Sequence, residues 1–138
     1  MSAKKTDVHF ALAVADFYAD IAEEMLKSAK DAAGSMTPLV MRVPGALELP
    51  MALKIAAESD FNVVAMAALG CVVRGETYHF EVVANTCASG IMQVQLQTGI
   101  PIGNGVLTVN TKEQAQRRCR KKAQDAVNAA LALWLLKP

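Results

Sequence analysis

The sequence predicts an α/β domain, a four-stranded parallel sheet with helices on both faces. Three observations carry that reading. Apolar runs alternate with helix-spaced stretches four times along the chain, the order that builds parallel strands through right-handed crossovers. The first run, residues 8–15, is apolar on both faces, as a central parallel strand must be. The 138 residues are 53% hydrophobic and 20% charged, enough to bury a substantial core.

Residues 8–15 are the first strand. Residues 17–33 follow with apolar side chains at Ile21, Met25, Leu26, Ala29 and Ala33, a helical spacing, and Gly34 is placed to cap the C-terminus. Residues 39–43 read as a second short strand, ended by Pro44-Gly45. A helix over 49–58 starts after that turn, with Pro50 tolerated in its first turn, where an N–H would have no helical partner. Residues 61–73 are the longest apolar run and the third strand. Over 80–98, Phe80, Val83, Cys87, Ile91 and Val94 share one stripe and predict a helix. The fourth strand covers 100–109 and is expected to be interrupted at Gly103-Asn-Gly105. The last helix covers 111–136, opening with Thr111 three residues before Gln114, a capping-box spacing.

Composition excludes several functions. A net charge of +1 gives no case for nucleic acid or a membrane surface as partner. The run 8–15 is too short to span a bilayer, and no secretory apolar region follows the charged residues at the start. Three cysteines without CxxC or Cys/His spacing predict a reduced, cytoplasmic setting and no metal site. Residues 1–7 are expected to be a flexible tail and 8–138 a single domain. Only 5% of residues are aromatic, and such a rich aliphatic content in a small chain suggests surface buried between subunits.

The chemistry is expected at the carboxyl ends of the strands, where parallel sheets bind ligands. The third strand runs into Gly75-Glu-Thr-Tyr-His79 just before a helix. Free N–H groups at a helix start favour an anion, Gly75 lets backbone come close, Thr77 adds a hydroxyl, and His79 can carry a proton. The other histidine, His9, lies in the first strand and reads as structural. Arg74 has no clear catalytic role, and a structural ion pair is as good a reading.

Val43-Pro-Gly-Ala-Leu-Glu-Leu-Pro50, Leu69-Gly-Cys-Val-Val-Arg-Gly-Glu-Thr-Tyr-His-Phe80, Thr98-Gly-Ile-Pro101 with Gly105-Val-Leu-Thr108, and Glu113-Gln-Ala115 before a basic stretch resemble the lumazine synthase family. The resemblance runs from Val8 to Leu136. It implies a three-layer α/β/α, flavodoxin-like subunit that condenses 5-amino-6-(D-ribitylamino)uracil with 3,4-dihydroxy-2-butanone 4-phosphate. The product is 6,7-dimethyl-8-ribityllumazine, the penultimate step of riboflavin biosynthesis, with phosphate and water released. No metal and no redox cofactor is implied. The implied assembly is a homopentamer with sites between subunits.

The resemblance also implies roles. His79 is the proton shuttle, and Gly75, Glu76 and Thr77 hold the phosphate. Phe17 stacks on the heterocycle, in a local Asp16-Phe17-Tyr18 where many relatives have Arg before the aromatic. Ala46, Leu47 and Glu48 match the ribityl-binding segment, with Leu47 where many members have Phe. Cys71, Val72 and Val73 border the pyrimidine. Asn104 comes from a neighbouring subunit, without the aromatic side chain often found there. Arg118 pairs with phosphate across the interface, a match to the guanidinium fork. Lys122 is the counterpart of a lysine in a Gly-Thr-Lys-Ala-Gly-Asn-Lys-Gly type segment that this chain lacks. The shorter segment favours a free pentamer or decamer over a closed shell. Two other readings stay open: a weak relative that carries a flavin, and an assembly protein with a residual pocket. Intact His79, Thr77 and Arg118 argue against the first of these.

Overall fold

Alternation of strand and helix persists through the computed structural model, which describes residues 4–138. In order come β1 (Val8–Ala15), α1 (Ala19–Ala33), β2 (Thr37–Val43), a 3-10 turn (Ala46–Glu48), α2 (Leu49–Ala57), β3 (Asn62–Val73), α3 (His79–Thr98), β4 (Ile102–Val109) and α4 (Lys112–Trp134). All strand pairs are parallel, in the order β2-β1-β3-β4. That is the flavodoxin-like order carried as far as its fourth strand, the expected three-layer α/β/α architecture.

Alternation along the central strands decides what each helix layer meets. On β1, Phe10, Leu12 and Val14 face α1 and α4 and pack with Met25, Leu26, Cys119 and Val127. Ala11, Ala13 and Ala15 face α2 and α3, where Leu49, Leu53, Cys87 and Ile91 fill the space the alanines leave. His9 is buried at the foot of β1. Its Nδ1 donates to the Asp7 carbonyl and its ring meets Phe61 edge-on, 5.0 Å between centroids, a structural role as expected. Of the expected tail, residues 1–3 lie outside the described residues. Beyond them, Asp7 N–H donates to Lys4 O at 3.0 Å and Asn62 N–H to Lys5 O at 2.9 Å.

Two expectations need correction. The Gly103-Asn-Gly105 segment does not interrupt β4, which pairs with β3 without a break from Ile102 to Val109. Its glycines serve packing: a Cβ on Gly103 would lie 1.8 Å from the backbone oxygen of Ala126, so α4 seats directly on the strand. Phe17 is not in the first helix. Asp16 N–H continues the sheet to Val43 O at 2.9 Å, and Arg42 reaches the Asp16 and Glu23 carboxylates at 3.1 and 2.6 Å. That extension leaves Phe17 and Tyr18 in the turn before α1. At the other end, Thr111 caps α4 as its spacing predicts, accepting from Gln114 N–H at 3.2 Å.

Among the described residues, no helix is long and apolar enough to cross a membrane.

Candidate active site

Three strand ends build one cleft of about 260 Å³. The end of β1 contributes Phe17 and Tyr18, whose rings meet edge-on at 5.0 Å between centroids. Beyond β2, Gly45, Ala46, Leu47 and Glu48 form a second wall, folded into a short turn by Glu48 N–H donating to Gly45 O at 3.2 Å. The end of β3 supplies Cys71, Val72 and Val73 as the floor. Gly75, Thr77, His79, Phe80 and Val83 close the remaining side, where the chain turns from β3 into α3.

Phe17 is 74% exposed, while Tyr18 packs partly into the core, so Phe17 is the freer aromatic face at the mouth. His79 is the first residue of α3 and is exposed, and its N–H donates to Thr77 Oγ1 at 3.4 Å. Tyr78, at the N-cap, makes no side-chain cap. The His79 N–H is thus engaged by Thr77, and Glu81 N–H donates to Tyr78 O at 3.1 Å, so the amides open to an anion are those of residues 75–78 and Phe80, beside the positive end of the helix dipole. Cys71 is buried in the floor, and burial pushes its thiol up to about 11, which keeps it protonated near neutrality. Among the described residues no cluster of His, Cys, Asp and Glu could hold a metal ion.

Four of the anticipated positions lie elsewhere. Glu76 is exposed and does not line this cleft. Asn104 is exposed on β4, with its Oδ1 accepting from Val106 N–H at 3.0 Å. Arg118 and Lys122 line a second, more open pocket of about 580 Å³ between the end of β4 and α4, with Asn110, Gln114, Arg117 and Lys121. Lys121 there reaches Asp125 at 3.3 Å, whereas no ion pair among the described residues engages Arg117, Arg118 or Lys122. Their charges are left for a ligand or another surface.

Sequence reasoning passed over Gly45, Phe80 and Val83 as wall residues, and chose Phe17 over Tyr18 where both line the cleft. Val83 had a signal, since it follows His79 by four residues and shares its face of α3. Arg74 proves to be an anchor: Nη1 reaches Glu81 Oε1 at 2.8 Å and Nε reaches Asn110 Oδ1 at 3.0 Å.

A cleft across the carboxyl ends of parallel strands, with a histidine and open loop amides just before a helix, makes this an α/β enzyme working on small molecules. Comparison with known proteins supplies the particular family. The family model described as 6,7-dimethyl-8-ribityllumazine synthase matches residues 7–137, and the chain belongs to that family. The enzyme of that name from Rhizobium meliloti, numbered 1 there, is 44% identical over 146 residues, covering 98% of this chain and 95% of its own. Its counterpart from Sphingopyxis alaskensis is 47% identical over 136 residues, 94% of each chain. That from Azorhizobium caulinodans is 46% identical over 131 residues, 88% of this chain and 81% of its own.

Proposed function

We propose that this chain condenses 5-amino-6-(D-ribitylamino)uracil with 3,4-dihydroxy-2-butanone 4-phosphate to give 6,7-dimethyl-8-ribityllumazine, releasing phosphate and water. The observation that carries this reading is the meeting of Phe17, the 46–48 turn and the Gly75–His79 loop in one cleft. The pyrimidine lies against Phe17 over the Cys71–Val73 floor, and the ribityl chain runs along Ala46, Leu47 and Glu48. Phosphate sits at the start of α3 on Gly75 and Thr77, and Glu76, whose carboxylate lies outside the cleft, offers only its backbone N–H. The uracil amine attacks the ketone to form an imine, phosphate leaves, and the second amine closes the ring. His79 moves the protons those steps exchange, and much of the acceleration comes from holding two reactants in attack geometry.

The phosphate cations Arg118 and Lys122, together with Asn104, reach the cleft from a neighbouring copy in a pentamer. Their separation from His79 within one chain supports this. So does the exposed apolar surface of α2 and α3, which includes Met51, Ile55, Val82, Met92 and Leu96. The setting is the cytoplasm, supported by three free, buried cysteines.

The test is formation of the fluorescent lumazine from both substrates, with particle mass measured by light scattering. Turnover well above the protein-free background by a five-fold assembly is expected. Background turnover by a folded assembly would overturn the enzymatic reading, and an active monomer would overturn the shared site.

A further inference from the structure

Arg74 stands at the seam between the two pockets, and the chemistry above makes no use of it. Its backbone N–H donates to Val109 O at 2.8 Å, carrying the β3–β4 ladder just past the strand ends. Its guanidinium then spreads over three partners. Nε donates to Asn110 Oδ1 at 3.0 Å, Nη1 donates to Glu81 Oε1 at 2.8 Å, and the group lies 4.7 Å from the centre of the Phe80 ring.

Those partners belong to two different helix starts. Glu81 and Phe80 lie in the first turn of α3, directly after His79. Asn110 precedes α4, and its N–H donates to Gln114 Oε1 at 2.8 Å, beside the turn that carries Arg118. The loop between Arg74 and α3 has little to hold it: residues 75–78 are exposed, and the N-cap Tyr78 provides no side-chain cap. A planar fork with two donors and a ring beneath it fixes an orientation that a single ammonium cannot.

We infer that Arg74 is a positioning residue that fixes the first turn of α3, and with it the His79 imidazole, against the corner between β4 and α4. The inference rests on the reading of His79 as proton carrier. Exposed ion pairs add little stability, so the expected consequence is geometric. Small displacements of a reacting group slow catalysis far more than they weaken binding.

The experiment compares Arg74→Gln, Arg74→Lys, the single reversals Arg74→Glu and Glu81→Arg, and the charge-reversed pair Arg74→Glu/Glu81→Arg in the assembled protein. Arg74→Gln is expected to lower kcat by about tenfold to a hundredfold. KM for the pyrimidine should stay within about twofold, since the loss falls on the chemical step. Arg74→Lys should recover only part of kcat, and the reversed pair should be faster than either reversal alone, because Asn110 can donate to a carboxylate as well as accept. As a control, Arg120→Gln breaks a 3.1 Å pair with Glu24 between α1 and α4 and should leave kcat within about twofold. Unchanged kcat in Arg74→Gln, or a reversed pair no faster than its single reversals, would overturn the inference.

Amide exchange over residues 79–82 supplies a readout that needs no turnover. It should quicken in Arg74→Gln and not in Arg120→Gln, and equal exchange in all three proteins would overturn the inference. If the unmodified chain does not turn over, the functional reading falls, and exchange alone still decides whether Arg74 holds this helix start.

Discussion

The two pockets of this chain are built on opposite principles. The cleft at His79 draws on the ends of β1, β2 and β3, so neighbouring strands wall it on both sides, and its floor is apolar. The second pocket hangs on β4, an edge strand, and is flanked by α4 alone. Nothing in the sheet order can supply its outer wall. It is lined by Arg117, Arg118, Lys121 and Lys122, with Asp125 as the single carboxylate among them. One chain thus carries an apolar-floored cleft walled by three strand ends and a basic pocket at the sheet edge, and does not fold one over the other. An edge strand is where a second copy can complete what the first leaves open.

The largest effect should come from unseating the second pocket while leaving the first intact. Gly103→Ala drives a Cβ to 1.8 Å from the Ala126 backbone oxygen, and a helix must move to admit it. A loss of about 3 kcal/mol in urea unfolding is expected, the upper end for overpacking a core. Stability within error of the unmodified chain would mean that α4 does not depend on that close approach.

Whether the two pockets work together is tested by mixing. His79→Ala and Arg118→Ala homo-oligomers should each be slow, His79→Ala by about tenfold or more. Unfolded together and refolded as mixed assemblies, they should regain activity at roughly a quarter of the sites, where an intact His79 meets an intact Arg118 from another copy. No recovery in mixtures shown to have exchanged subunits would place both residues in a site within one chain.

A smaller effect separates the roles of the pockets. Arg118→Ala should raise KM for the butanone phosphate about tenfold, the value of a charge-assisted hydrogen bond, and spare the pyrimidine. Equal weakening of both substrates would remove the division of labour.

The smallest test concerns the buried thiols on the cleft side. Burial pushes Cys71 and Cys87 from 9.0 up to about 11. Unfolding returns them to the ordinary value, so as pH rises the unfolded chain loses these protons first. Their contribution to stability is whole below pH 9.0 and is lost between there and about 11. A fall of roughly 1–2 kcal/mol per thiol is expected across that window, reduced in Cys87→Ala. An identical pH slope in that variant would show that the thiol is not linked to folding.

The element order, the buried faces and the loop from Gly75 to His79 were all legible in the linear sequence. The reason is that each is written at short range, as a period of two, a period near four, or a turn before a helix. The Thr111–Gln114 cap belongs to the same class, since both partners lie within one helical turn. Long-range contacts left no such trace. Gly103 reads as a break until Ala126, far along the chain, is seen resting on it. Phe17 fits a helical stripe until Asp16 is found paired with Val43 across the sheet. Arg74 reads as half of an ion pair with no partner named until Asn110 and Glu81 converge on it from separate helix starts. Sequence determined which residues could do chemistry, through local pattern. Tertiary structure alone decided which of them share a cleft, because strand order, and not distance along the chain, brings strand ends together.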